Sequence, residues 1–191
     1  RGLRARPPRC ARRELWARRI RRCRRGPRAR LWVAGFCIWL APLPLELRRR
    51  ALERFSVRGD VAERIAGFSK QRDASLATLA RSRGRGAVDR VLGDLDEERL
   101  LALWASATPP VQRRIERWAE EDRRRRSPVG GNELLEIGVS GAAVGRMLER
   151  IRAAYLDGDI VNREEGVALA REMARRGRTA AASARSRRRT R

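Results

Sequence analysis

Histidine is absent from the 191 residues, and lysine occurs once, at Lys70. Without histidine there is no imidazole general base, no Ser-His triad, no histidine metal site and no His/Asp phosphohydrolase centre. Cysteine is scarce: Cys10, Cys23 and Cys37 are all N-terminal and lack zinc-ligand spacing. Three cysteines so placed do not make a disulfide scaffold, and they read as reduced thiols of a cytoplasmic protein. A long apolar run is missing too. The best stretch, Leu31 to Ala41, is closed by Pro42 and Pro44. It falls well short of the roughly 20 residues a membrane span needs. Its lead of about 30 Arg-rich residues is too long for a signal peptide. The run therefore reads as a buried core helix, and no membrane partner is expected. No alternating pattern long enough for a strand is found.

What is abundant is arginine. Lys+Arg number 47 against Asp+Glu 23, a net charge of +24. Residues 1–30 carry a net +13 and residues 175–191 a net +8, leaving +3 for the middle. A nearly neutral folded middle with two cationic, disordered ends is the expected organisation. Guanidinium forks suit phosphate, although an arginine bias also follows from a GC-rich coding sequence. The first residue is Arg1 rather than Met, which points to a processed product or a fragment.

Between Gly and Pro punctuation the chain reads as helix almost throughout. Leu45, Leu52 and Phe55 fall at near-helical spacing, and Val61, Ile65 and Phe68 share one helix face. Asp73 is placed to cap a separate helix to Leu79, and Ala87 to Leu92 forms a short one. Asp94 or Asp96 caps ERLLALWAS, a reading preferred to a paired-carboxylate metal site. Gly84-Arg85-Gly86 reads as a loop, too little for a phosphate cradle. Pro109 and Pro110 open a helix that runs into Arg123, Arg124, Arg125 and Arg126, which either suit a helix C-terminus or contact phosphate. Asn132 starts a short helix, Ala142 to Leu156 forms a long one, and Asn162 caps the next. Trp104 and Trp118 lie on apolar faces and Trp39 in the buried run, while Trp16 sits in the arginine-rich arm. The expected class is all-α, a stack of short helices. Its boundaries are an arm (1–30), a helical body (31–126), a tail with a Gly-bounded hairpin (127–174) and a second basic end (175–191).

The most specific stretch is 127–170, whose centre is helix, glycine-bounded turn, helix. Gly138 suits a C-cap of positive φ. Gly141 stands where the next helix begins and its N–H groups point outward, an anion site in the making. Gly145, one turn inside, lets the other helix or a phosphate backbone come close. Arg146 and Arg150 share a face at i, i+4. They face phosphate on one reading, and on another Arg150 pairs with Glu149 or Asp157.

The run Gly131-Asn132-Glu133-Leu134-Leu135, then Gly138-Val139-Ser140-Gly141-Ala142-Ala143-Val144-Gly145-Arg146-Met147-Leu148, is followed by Leu156-Asp157-Gly158-Asp159-Ile160 and Arg163-Glu164-Glu165. This stretch resembles the tail of bacterial tRNA nucleotidyltransferases, the CCA-adding and A-adding enzymes and poly(A) polymerases of that class. The segment from Glu97 to Arg126 is similar to the helix pair before that tail, and PLPLELRRRALERFSV looks like the start of the helical body. Glu133 stands for the family's usual Asp, and Gly141-Ala142 for its common Gly-Pro. The catalytic head, with its phosphate loop and paired metal-binding Asp, has no counterpart.

The resemblance implies a module that holds tRNA or another structured RNA by backbone and shape. No catalytic residue and no metal site is assigned. ATP or CTP and Mg would belong to a head supplied by upstream sequence or another chain. The residues it points to are Arg123 to Arg126, Asn132, Gly138, Gly141, Gly145, Arg146 and Arg150. Two alternatives stand beside it: a helix-hairpin-helix-like module that binds duplex DNA without reading sequence, and a truncated remnant with no role of its own.

Overall fold

The computed structural model describes residues 30–189, with side chains through Arg176. The described residues form nine α-helices and one 3-10 turn, with no strand among them. The helices are α1 (Leu31–Leu40), α2 (Leu45–Arg54), α3 (Gly59–Arg81), α4 (Arg85–Leu92), α5 (Glu97–Ser106), α6 (Pro109–Glu120), α7 (Gly131–Glu136), α8 (Ala142–Asp157) and α9 (Arg163–Arg189). The chain divides into two compact units, one of residues 30–82 and 91–121, the other of 83–90 and 122–189. The second unit thus starts before the expected boundary at 127 and takes in most of α4. The arm 1–30 lies, up to residue 29, outside the described residues.

In the first unit α1 packs on α3 and α5, and α6 packs on both of these. Its core is Leu40, Leu52, Ile65, Phe68, Leu79, Leu100, Leu103, Ile115 and Trp118, all almost fully buried. Cys37 is buried here, and that burial, with Asp96 as the next cause, pushes its thiol up to about 12. Trp104 and Trp118 are core residues, as their helix faces predict.

Local chemistry sets the helix ends. Asp96, of the two candidates, caps α5, accepting from the Arg99 N–H at 2.8 Å. Glu97 and Glu98 follow in the first turn, where the dipole favours acids. Its second oxygen takes Arg64 and Arg99, each at 3.0 Å, so the carboxylate is fully used. Pro109 and Pro110 occupy the first positions of α6. Residues 60–68 and 73–79, expected as two helices, form one: Ser69-Lys70-Gln71-Arg72 contains no breaker. Asp73 pairs with Arg72 instead of capping. The helix expected to reach Arg126 stops at Glu120, and Asp122–Arg124 forms a 3-10 turn.

The run Leu31 to Ala41 is helical but not wholly buried. Val33, Ala34, Cys37 and Leu40 face the core, while Trp32 is 47% and Trp39 61% exposed. Trp39 is therefore corrected from core to surface. The reason is geometric: a 3.6-residue period sends every third or fourth side chain away from a core on one side.

The second unit closes around Val129, Leu134, Val139, Met147, Ile151, Ile160 and Ala170. Asn162 caps α9, accepting from the Glu165 N–H at 2.9 Å, and Glu165 reaches back to the Val161 N–H at 2.7 Å. The α9 helix passes the expected boundary at 174. The basic end expected to be disordered is helical to Arg189, and residues 190 and 191 lie outside the described residues. Alanine and arginine, which are strong helix formers, make up most of this stretch, with Gly177, Thr179, Ser183 and Ser186 between them. No helix among the described residues is long and apolar enough to cross a membrane.

Candidate nucleic-acid interface

The turn between α7 and α8 is built by backbone chemistry. Gly138 has φ +85°. The Val139 N–H bonds the Leu134 carbonyl and the Gly138 N–H bonds the Leu135 carbonyl, both at 2.9 Å. This is the paired pattern of a Schellman C-cap, sealed by burial of Val139 and Leu134 in one cluster. Gly141 then takes φ +60° and ψ −145°, a conformation reserved for glycine.

Gly141 is also the N-cap of α8, so no side chain caps this helix, and its first turn holds no acid. The first amides of a helix have no partner within it. Here the Val144 N–H is taken by the Gly141 carbonyl at 3.1 Å, and no acidic side chain of the first turn offsets the partial positive charge of this end. Arg146 and Arg150 follow on an exposed face, and no carboxylate among the described residues pairs with either. The alternative pairing of Arg150 with Asp157 does not form: that carboxylate accepts from the Gly86 N–H at 2.9 Å. Around Gly145 a Cβ would meet nothing within 4 Å. The expected close approach of the other helix is thus absent, and the space outside is open. Asn132 is exposed in the first turn of α7.

At the start of α7, Glu133 accepts from the Gly130 N–H at 3.1 Å and pairs with Arg163 at 3.1 Å. Its own backbone N–H, then Arg163, then Gly130 hold its carboxyl below the ordinary value. Glu133 and Glu136 face Arg163 and Arg171 across a groove of about 270 Å³, so the charges in that groove balance.

Arg123 to Arg126 do not join the α8 face. Arg152 grips Asp89 with two bonds at 2.5 and 2.9 Å, and donates to the Asp122 and Arg125 carbonyls at 3.1 and 2.5 Å. Helical geometry turns Arg152 about 200° round α8 from Arg150. The segment it anchors therefore lies on the flank away from Arg150. Arg85 meets Asp122, whose side chain is fully buried. Sequence reading passed over Asp89, Asp122 and Arg152, and took Arg85 only as part of a loop. The one signal was that Arg152 stands in a row with Leu148 and Leu156 at i−4 and i+4, a charge between apolar residues. The Gly84-Arg85-Gly86 stretch opens α4 rather than forming a loop. Cβ atoms built on its two glycines would meet Asp157 at 2.7 Å and Ala153 at 2.6 Å, so it carries close packing.

Among the described residues no group of three His, Cys, Asp or Glu could hold a metal ion. No family model, no curated protein and no solved structure matches the chain.

Proposed function

We propose that the second unit grips the phosphate backbone of structured RNA, tRNA in the first instance, through the α7–α8 turn, as the tail of a tRNA nucleotidyltransferase whose catalytic head is not in this chain. The observation that carries this reading is the N-terminus of α8, without a side-chain cap, on the same helix as the exposed, unpaired Arg146 and Arg150 further along it. Helix N-terminal amides and guanidinium groups are both phosphate ligands, and together they suit backbone contact without base reading. Open space at Gly145 leaves room for a sugar-phosphate chain to approach. Arg125 and Arg126 are exposed on another flank and would touch a different part of the same polyanion.

The test compares full-length protein with the Arg146→Ala/Arg150→Ala variant on tRNA and on duplex DNA of equal charge. Affinity is followed from about 50 to about 200 mM salt. Losing two phosphate contacts flattens the salt slope by about 1.5. The reading expects that loss on tRNA and a much smaller one on DNA. An equal loss on both makes the turn a general backbone binder, and a larger loss on DNA favours the helix-hairpin-helix alternative. No loss on either removes the turn from binding.

A further inference from the structure

The outward face of α1 has no charged residue and carries rings instead. Trp32, Phe36, Trp39 and Phe55 form one edge-to-face cluster with ring centres 5.3 to 6.0 Å apart. The faces left over are open: Trp32 is 47%, Trp39 61% and Phe55 52% exposed. Gly35 lies between Trp32 and Trp39 on the same stripe, and a Cβ there would meet nothing within 4 Å. Aromatic surface of this extent on a folded unit marks a binding face.

The charge around it selects the occupant. The Arg30 guanidinium already lies over the Trp32 ring at 5.8 Å, while also pairing with Glu98 at 3.2 Å. Arg50, Arg54 and Arg58 are exposed close to Phe55 in the chain and outnumber the exposed acids there, Glu53 and Asp60, and no carboxylate among the described residues pairs with these arginines. The thirty residues that end at Arg30 carry a net +13. Flat apolar rings bordered by cations match a ligand with flat apolar bases and a polyanionic backbone.

We propose that Trp32, Trp39 and Phe55 are a stacking platform for unpaired bases of a single-stranded nucleic acid, with the flanking arginines on its phosphates. Stacking accepts any base, because every base has a π face, so the site takes single strands without sequence preference. A duplex, whose bases are stacked on each other, gains nothing from the rings. The site is in the first unit and uses none of the residues of the α7–α8 turn, so each proposal can fail alone.

The experiment measures binding of a labelled twelve-uridine RNA and a twelve-base-pair RNA duplex to the full chain, at about 200 mM salt to suppress the basic ends. Trp39→Ala is expected to weaken the single strand on the order of 10-fold, leave the duplex and the salt slope unchanged, and reduce the quenching of tryptophan fluorescence by the oligomer. Trp39→Phe keeps most of the affinity. Because the ring is exposed, the melting temperature of both variants stays near that of the parent, and Phe55→Ala repeats the measurement from α2. Single-strand affinity unchanged in both alanine variants overturns the proposal, as does an equal loss on single strand and duplex. So does an unchanged oligomer affinity accompanied by lost binding to anionic phosphatidylglycerol vesicles, or by a fall from dimer to monomer mass.

Discussion

A glycine can be required for its backbone angles or for its lack of volume, and the two demands fall on different residues here. Gly138 and Gly141 hold positive φ with no neighbour where a Cβ would stand. Gly86 has no unusual φ, yet a Cβ there would sit 2.6 Å from the Ala153 backbone. Backbone cannot give way as a flexible side chain does. Gly86→Ala is therefore expected to destabilise by about 1–3 kcal/mol through overpacking, read from the shift of the urea midpoint at constant m-value. A substitution that left the midpoint unmoved would show that α8 gives way at no cost. The positive φ of Gly138 was legible in sequence as a C-cap, while that of Gly141 was not. The contact at Gly86 was not, because its partner lies 67 residues further along the chain.

At the scale of the element, α7 is a six-residue helix with little intrinsic stability. Its start depends on Glu133, which accepts the Gly130 amide and pairs with Arg163. The carboxyl is held below its ordinary 4.5. For a lowered carboxyl, the stabilisation is complete above 4.5 and is lost as pH falls through the lowered folded value. Carbon-detected NMR titration of Glu133 is expected to show that lowered midpoint, and Arg163→Ala to move it up toward 4.5. A midpoint insensitive to Arg163 would leave only the backbone amides as its cause. Helix ends of this kind were readable where one residue acts on its own helix, as at Asn162, and at Asp96 down to a choice between it and Asp94. They were not readable where two helices share a group, as when Asp157 at the end of α8 accepts from the Gly86 N–H at the start of α4.

At the scale of the whole molecule, the charge lies mainly at the two ends of the chain, and residues 31–174 are close to neutral. Polyanion binding by the full chain is expected to be steep in salt. With about six phosphates neutralised, affinity falls on the order of 10³-fold between about 50 and 200 mM, whatever the base sequence. Replacing the arginines of residues 1–29 by glutamine is expected to flatten that slope. A slope unchanged by the replacement would assign the electrostatic contacts to the folded units.

Composition and period alone determined the all-α class, the absence of histidine chemistry, most helix limits and the location of the net charge, because each depends on residues near one another in the chain. They also located the glycine turn between α7 and α8. Tertiary structure decided which arginines are free. Arg152 and Arg85 are tied to Asp89 and Asp122 across the second unit, while Arg146 and Arg150 are left facing solvent. It also decided that α1 buries one side only, so that Trp39 faces out where an apolar run suggested core. The physical reason is common to both: whether a charge is paired or a ring is covered depends on what another part of the chain brings to it, and no local pattern records that.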